Sequence, residues 1–233
     1  MKNGAGGPRF NLLTYKYLVR GVWYVVAAAV VACGGPANSS SDQAPVPAPT
    51  LPLPTAGLAG QRVSLYPLTL VAAEDSLRWN ALVADRRGTL ARAESVIVSL
   101  LTSRAPELTW ITPDELRRDA RRAVGIATNP DQLGSAVLRA DEIDVVPEPL
   151  SMQLRQLTAL AGGRFAVVPA ALVYKRRPPT PAAPLLVATA ELSIVMVDVR
   201  LGRVVWRTVA RGEGADPWTS LTAAVKGLTP GLP

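Results

Sequence analysis

The chain of 233 residues contains no histidine and one cysteine, Cys33. The absence of histidine excludes His-based catalytic triads, histidine metal sites and the commonest general base near neutral pH. A single cysteine cannot form a disulfide within the chain. After Cys33 only two lysines remain, Lys175 and Lys226. Packing alone must therefore hold the fold, and few side chains are suited to covalent or acid–base catalysis.

Other catalytic patterns are missing as well. The sequence has no G-x-S-x-G motif, no glycine-rich phosphate loop and no paired carboxylates on a recognisable scaffold. We therefore expect a protein that is not an enzyme and that needs no metal.

A short apolar run, Gly21–Ala32, ends directly before Cys33. Four basic residues and no acid precede the cysteine: Lys2, Arg9, Lys16 and Arg20. This pattern is typical of a secretory signal, and the run is shorter than the roughly 20 residues that cross a bilayer as a helix. The sequence predicts a bacterial lipoprotein signal peptide with Cys33 as the acylated residue. The predicted cleavage site comprises Val30, Val31, Ala32 and Gly34.

Two alternatives to the signal peptide stay open. The first is an uncleaved membrane anchor from Leu12 to Ala32, which the polar residue Thr14 and the basic residues Lys16 and Arg20 weaken. The second is a buried helix. Gly34 stands where an inner-membrane retention signal would place Asp. By resemblance to lipoproteins of bacteria with two membranes, we expect an outer-membrane location that faces the periplasm. The only expected cofactor-like group is the covalent diacylglycerol and acyl lipid at Cys33.

The positive charge is concentrated in the predicted signal. The whole chain has a formal net charge of +7. Four of its 25 Lys and Arg residues precede Cys33, which leaves 21 against 18 acids and a net charge of +3. This ordinary balance gives no support for nucleic-acid binding.

Composition divides the chain into four segments. Residues 1–32 are the predicted signal peptide, and residues 33–60 are a Pro-, Ala- and Ser-rich linker that we expect to be disordered. This linker is interpreted as a tether, and a Pro-rich ligand for a partner domain is the alternative. Residues 61–228 form the predicted folded domain, and residues 229–233 form a frayed tail.

Periodicity and capping residues predict the secondary structure of the domain. Thr112-Pro113-Asp114-Glu115 is the strongest local signal, since Thr is a good N-cap and Glu three residues later completes a capping box. Asp85–Gly88 is expected to form a turn, and Arg200–Gly202 is expected to connect a β-hairpin. The predicted strands are Arg62–Val71, Leu108–Ile111, Arg164–Tyr174, Leu185–Val199 and Arg203–Arg211. The predicted helices are Thr89–Ser103, Pro113–Val124, a short one at Asn129–Gln132, Leu150–Ala161 and Pro217–Lys226.

The resulting order is β-α-β-α-α-α-β-β-β-α. It predicts a single α/β domain with a mixed sheet and with helices packed on one face or on both.

Three segments carry a family resemblance: LTWITPDELRRDARRAV, LTALAGGRFAVVPAALV and AELSIVMVDVRLGRVVWRTVARGEG. The last contains Asp198, Gly202 and Trp206 at spacings that resemble a hairpin motif. Together they resemble the periplasmic lipoprotein domains related to the curli-secretion lipoprotein CsgG, the peptidoglycan-synthase activator LpoB and the amino-terminal domain of TolB. The resemblance covers most of residues 61–228 and implies an envelope protein with this α/β fold.

Two basic groups are candidate partner-binding residues. One adjoins a Pro-rich connection and could contact lipid phosphates or an acidic partner; it comprises Lys175, Arg176 and Arg177. The other is expected to lie on one face of a single strand and could contact a partner or glycan phosphates; it comprises Arg203, Arg207 and Arg211. A solvated surface is the alternative for both groups.

Clustered carboxylates and the tryptophans are further candidates. A carboxylate cluster could hold Ca²⁺ or Mg²⁺, although its spacing fits no EF-hand and a solvated loop is commoner; it comprises Asp141, Glu142, Asp144 and Glu148. Trp206 is expected in the core, whereas Trp79 or Trp218 could be an exposed contact residue.

These observations leave three functional hypotheses. The first is a non-catalytic, membrane-anchored lipoprotein that binds another envelope protein. The second is a homo-oligomeric component of an envelope secretion or transport assembly. The third is a glycan or lipid binder that uses the three alternating arginines. The oligomeric state and the partner stay open.

Overall fold

The computed structural model describes residues 48–79, 84–177 and 187–230. The predicted signal peptide, its cleavage site, Cys33 and the linker up to residue 47 lie outside the described residues, as does the Pro-rich connection after Arg177. Within the described residues, no helix is both long enough and apolar enough to cross a bilayer.

The described residues form a six-stranded mixed sheet with four α-helices packed on it, so the predicted fold class is confirmed. The strands are β1 (Arg62–Leu65), β2 (Val71–Ala73), β3 (Thr109–Ile111), β4 (Phe165–Arg177), β5 (Val187–Asp198) and β6 (Arg203–Gly214). The helices are α1 (Arg86–Arg104), α2 (Pro113–Arg122), α3 (Leu150–Leu160) and α4 (Pro217–Gly227). Short 3₁₀ turns occur at Thr55–Leu58, Asp75–Leu77, Pro130–Gln132 and Ser135–Arg139.

The strand order is β3-β1-β4-β5-β6, and β2 also pairs with β4. The pairs β1–β3, β1–β4 and β2–β4 are parallel, whereas β4–β5 and β5–β6 are antiparallel. The long central strand β4 therefore joins a parallel half of the sheet to an antiparallel half.

The predicted first strand is divided in two. β1 pairs with β4 at Val167 and β2 pairs with it at Leu172, and the chain between them leaves the ladder. Pro67 lies in this break; it has no N–H to donate to a sheet ladder. A single strand over Arg62–Val71 was therefore the wrong expectation, although both pieces lie beside the same partner strand.

Each face of the sheet carries its own hydrophobic core. One core packs under α1 and α4 and includes Ile97 and Leu221, and the other packs under α2 and α3 and includes Leu116 and Leu154. Because both faces are covered, β4 is buried along most of its length, which explains its nearly continuous apolar sequence.

The helix caps follow the local sequence with two exceptions. The capping box of α2 is present, since Thr112 N–H donates to Glu115 Oε2 at 2.7 Å and Thr112 Oγ1 accepts from Glu115 N–H at 3.4 Å. The helix ends at Arg122, two residues before the predicted end, and Val124 is 84% exposed. Asp85 accepts from Gly88 N–H and caps α1, so the expected turn at Asp85–Gly88 is instead the first turn of that helix.

The folded part extends beyond both expected boundaries. Leu53 and Leu58 are buried in the core under α1 and α4, and Leu53 N–H donates to Leu228 O at 2.8 Å. Disorder up to Gly60 was therefore wrong for residues 48–60. Thr229 is buried and accepts a hydrogen bond from Arg104 at 2.9 Å, so the expected tail also begins too early.

Candidate functional site

The first predicted basic group is partly neutralised within the molecule. Lys175 Nζ lies 2.7 Å from Glu191 Oε2, and Arg177 forms an ion pair with Glu213. Within the described residues, the Arg176 side chain has no hydrogen bond or ion pair. Arg176 is thus the one member of this group whose side chain has no partner among the described residues. The binding role of the three residues stays a prediction.

Two arginines of the second group also have partners in the fold. Arg207 donates to the carbonyl oxygens of Ala140 and Ile143. Arg211 donates to Glu191 Oε1 at 3.2 Å and to Ala48 O at 2.6 Å. They hold neighbouring segments against the sheet edge, which gives each of them a structural role.

The Glu191 carboxylate forms ion pairs with both Lys175 and Arg211. Burial raises the pKa of the Glu191 carboxyl, but the hydrogen bonds from these two cations lower it, and the net shift is downward. The carboxylate therefore stays charged and cancels part of the basic surface that the sequence predicts.

The third arginine of this group lies on the other face of the sheet. The pairing of β5 with β6 shifts register so that Val205 is an extra residue in β6. Trp206 packs on the α1/α4 side and Val204 on the α2/α3 side. On each side of the bulge, successive side chains alternate between the two faces of the sheet. Arg203 therefore lies on the same face as Trp206, and Arg207 lies on the same face as Val204. The expected single face for all three arginines is therefore wrong.

The predicted carboxylate cluster lies in the exposed loop before α3. Val146 N–H donates to Gly202 O and Val204 N–H donates to Asp144 O, both at 2.9 Å, so the loop covers one end of the β6 edge. Glu148 Oε2 accepts from Met152 N–H at 3.2 Å. In the described part of the chain, no group of three His, Cys, Asp or Glu residues is arranged to hold a metal ion.

The four tryptophans of the described residues lie on the α1/α4 side of the sheet. Trp206 is half-buried and packs against that core, and the Trp79 ring meets Tyr174 edge-on at 5.4 Å. Arg92 lies 4.2 Å above the Trp218 ring. Trp79 and Trp218 both line a cleft of about 520 Å³, which places neither of them as a fully exposed contact residue.

A groove between α1 and the start of α2 was missed by the sequence analysis. It has a volume of about 990 Å³. Thr69, which follows β1, and Thr112, which follows β3, both line it. This position is the carboxyl edge of two parallel strands, where open α/β sheets commonly bind ligands.

Arg117 forms the centre of the groove wall. It donates to both carboxylate oxygens of Glu94 at 2.7 and 2.8 Å, to Asp131 at 2.7 to 3.1 Å and to Asp114 at 2.8 Å. The hydrogen bonds with Glu94 raise the pKa of the guanidinium above its ordinary value, while burial acts the other way. A permanently charged Arg117 therefore fastens α1, α2 and the 3₁₀ turn at Pro130 together.

The groove carries balanced charge. Arg86, Arg87 and Arg117 face Glu94, Asp114 and Asp131 across it. Arg86 donates to Thr69 O at 2.8 Å, and the Arg87 side chain has no ion pair with any described residue. A groove with balanced charge suits a segment that offers both donors and acceptors better than it suits a highly charged ligand.

One signal could have indicated this groove from sequence. A strand followed at once by a capped helix, as at Thr112, marks the carboxyl edge of a sheet in an α/β domain. The charges of the wall could not be grouped in advance, because Glu94 lies 23 residues before Arg117 and Asp131 lies 14 residues after it.

No protein-family model and no curated protein matches the chain. Solved structures give distant similarities. The LpoB C-terminal domain from Salmonella enterica is 9% identical with a TM-score of 0.33, covering 68% of this chain and 85% of that one. The PelC dodecamer from Paraburkholderia phytofirmans is 12% identical with a TM-score of 0.36, covering 81% and 98%.

The lipoprotein GNA1162 from Neisseria meningitidis is 11% identical with a TM-score of 0.28, covering 67% of this chain and 82% of that chain. LpoB is also named in the sequence resemblance. Similarities this distant do not assign the chain to the CsgG, LpoB and TolB group, and membership stays a prediction.

Proposed function

We propose that the chain is a non-catalytic bacterial lipoprotein, anchored at Cys33, that binds another cell-envelope protein through its α/β domain. The anchor is proposed to lie in the outer membrane and to face the periplasm. The bound segment is proposed to occupy the groove between α1 and α2. No cofactor is proposed other than the covalent lipid.

The anchor is supported by the sequence before the domain. A basic start, a short apolar run and small residues at Ala32 and Gly34 surround the one cysteine. Fourteen residues, 34–47, separate Cys33 from Ala48, the first described residue. We propose that this segment tethers the domain at a distance from the membrane surface.

The groove is the observation that supports partner binding. Its wall is held by six hydrogen bonds from Arg117 to three carboxylates, which supports a groove that is formed before a partner binds. A preformed groove lowers the ordering cost of binding. The volume of about 990 Å³ and the balanced charge suit an extended polar segment of a protein.

The anchor is tested by the mass and the membrane partition of the full chain expressed in a bacterium with two membranes. We expect the native chain to lose residues 1–32, to gain the mass of a diacylglycerol and an acyl chain, and to sediment with membranes. The Cys33→Ala variant should lack the lipid mass. A variant that stayed membrane-bound at unchanged mass would contradict the lipid anchor and favour the uncleaved alternative.

Groove binding is tested by photocrosslinking in the same cells. A photoreactive amino acid is placed at Ala91 or Ser95, which are exposed and line the groove, and at Ala215 as an exposed control outside it. We expect one envelope protein to be trapped from the groove positions and not from the control. A ladder of the chain's own mass would favour a homo-oligomeric component, and equal trapping at all positions would contradict the groove.

A further inference from the structure

The groove between α1 and α2 is elongated along α1. Its lining residues on this helix come in adjacent pairs, from Arg86 and Arg87 through Glu94 and Ser95 to Val98 and Ser99. Pairs that recur every four residues lie on one face of a helix. From residue 86 to residue 99 the helix rises about 20 Å, at about 1.5 Å per residue. An extended segment of about six residues has this length.

Two exposed arginines, Arg86 and Arg87, form one end of the groove, here called the basic end. Arg86 donates to the neutral carbonyl of Thr69 at 2.8 Å, and the Arg87 side chain has no ion pair with any described residue. The acid next to them along the chain, Asp85, accepts from Gly88 N–H at 3.0 Å and does not line the groove. Even with Asp85 counted, the basic end keeps an excess of positive charge.

Three carboxylates around Arg117 form the other end, here called the acidic end: those of Glu94, Asp114 and Asp131. One positive charge against three negative charges leaves an excess of negative charge at this end. The Asp114 side chain is 83% exposed and that of Asp131 is 47% exposed, so both can accept hydrogen bonds from a further cation. The neighbouring Glu115 and Arg118 lie 3.9 Å apart and offset each other.

The two ends are separated along the groove. Arg87 and Glu94 are seven residues apart on α1, which corresponds to about 10.5 Å of helix. In an extended segment each residue spans about 3.3 Å, so about three or four residues cover this distance. The charge of the groove is thus balanced as a whole but divided between its ends.

We infer that the groove binds an extended segment that carries an acidic side chain and, about three or four residues away, a basic side chain. The acid binds at Arg86 and Arg87, and the base binds at Asp114 and Asp131. This inference rests on the proposed function and specifies the segment that the partner protein offers.

Charge complementarity supports this occupant. A guanidinium can bind a carboxylate through two parallel hydrogen bonds, and Arg87 has no competing carboxylate among the described residues. A uniformly acidic segment is repelled by the acidic end, and a uniformly basic segment is repelled by the basic end. Complementary charges at the two ends therefore select the partner and fix the direction in which it lies.

Photocrosslinking identifies the segment directly. A photoreactive amino acid is placed at Ser95, which is exposed and lines the groove, in the full chain expressed in a bacterium with two membranes. The trapped peptide is then sequenced by mass spectrometry. We expect an acid and a base about three or four residues apart in it. A trapped segment without one of these charges overturns the inference, and a peptide of the chain itself overturns the occupant in favour of a homo-oligomer.

Charge reversal tests each end of the groove. Arg87→Glu and Asp114→Lys should each lower the yield of the trapped complex by about fivefold, because an attraction between exposed charges becomes a repulsion. Arg200→Glu and Glu142→Lys are the matched controls, since both residues are exposed and neither lines the groove. The controls should leave the yield unchanged.

Folding of the variants is checked by circular dichroism. Arg87→Glu places an acid in the first turn of α1, which the helix dipole favours, so this variant should fold. Asp114→Asn keeps the shape of the side chain and is the milder variant for the acidic end. It should lower the yield in the same direction as Asp114→Lys, but by less.

Exchanging charges between the two proteins decides the direction of the segment. Replacing the acid of the trapped segment by Lys should restore trapping by Arg87→Glu and not by Asp114→Lys. Yields that both reversals leave unchanged contradict the charged ends while groove binding stands, and a loss at one end alone contradicts a two-ended segment. If the native chain traps no protein at Ser95, the proposed function fails and the inference fails with it.

Discussion

Arg164 donates two hydrogen bonds, at 2.9 and 2.5 Å, to a single carboxylate oxygen of Asp198, whose side chain is only 2% exposed. The other oxygen of Asp198 accepts from the backbone N–H groups of Arg200 and Leu201. One buried carboxylate thus fixes both the β5–β6 turn and the start of β4.

Replacing Asp198 by Asn should destabilise the protein by about 1.5–3 kcal/mol, because hydrogen bonds to charged groups contribute about this much. Burial raises the pKa of Asp198, but the hydrogen bonds from Arg164 and the turn lower it, with a net downward shift. Its stabilising effect should therefore be complete above about pH 4, the pKa of an unfolded Asp, and should decline as pH falls below it.

Urea unfolding of Asp198→Asn and the native protein between pH 7 and pH 2 measures both effects. Asp75→Asn is the control, since Asp75 is exposed and should change stability by less than about 0.5 kcal/mol. A constant difference between native protein and Asp198→Asn down to pH 2 would contradict the linkage.

Arg117→Gln should destabilise the domain by about 2 kcal/mol, because it leaves Glu94, whose side chain is 14% exposed, without its bidentate partner. Arg122→Gln on the same helix is the matched control, since its 3.5 Å pair with Asp119 involves an Arg122 side chain that is 79% exposed. Such a pair contributes less than about 1 kcal/mol. Equal losses in the two variants, measured by urea unfolding, would contradict the central role of Arg117.

Two buried tyrosines should respond differently to loss of their hydroxyl groups. Tyr66 Oη bonds with Leu154 O at 3.1 Å and with Thr158 Oγ1 at 2.9 Å, so Tyr66→Phe should cost about 1–2 kcal/mol. Tyr174 Oη has no partner among the described residues, so Tyr174→Phe should be neutral or stabilising. Thermal unfolding compares them, and a similar loss in both would mean that the Tyr174 hydroxyl is bonded in solution.

Gly212 should tolerate no side chain. A Cβ built there lies 2.1 Å from Ala224 N and 2.3 Å from Ser220 O, both backbone atoms of α4. Gly212→Ala should therefore cost about 3 kcal/mol or more, which lowers Tm by at least about 6 °C for a domain of this size. Gly57→Ala is the control, since nothing lies within 4 Å of its added Cβ; an equal Tm for the two variants would contradict the close contact.

Elements with a local cause were predictable. The capping residues of α2 act on backbone groups three residues away, and Gly202 adopts a positive φ of 65° in the turn that the sequence predicted. Both signals lie within a few residues of the structure they specify. The face of the sheet on which each β6 side chain lies was not predictable in the same way, because no local sequence signal indicates the extra residue at Val205.

The candidate groove depended on the tertiary structure. The capped helix at Thr112 was recognised, but no local pattern indicates that Glu94 and Asp131 meet Arg117. The basic residues were recognised as well, yet the sequence did not indicate that Lys175, Arg177, Arg207 and Arg211 have partners within the fold.

By itself, the sequence determined the α/β class, the element order and the β5–β6 hairpin, because caps, turns and apolar periodicity act over a few residues. Tertiary structure decided where the first strand breaks, that Leu53 and Leu58 join the core, and which arginines keep their charge free. These outcomes depend on contacts between distant segments, as when Ala48 reaches Arg211. Neither segment carries a local trace of its partner, so only the packed fold shows which charges remain available to a membrane or a protein.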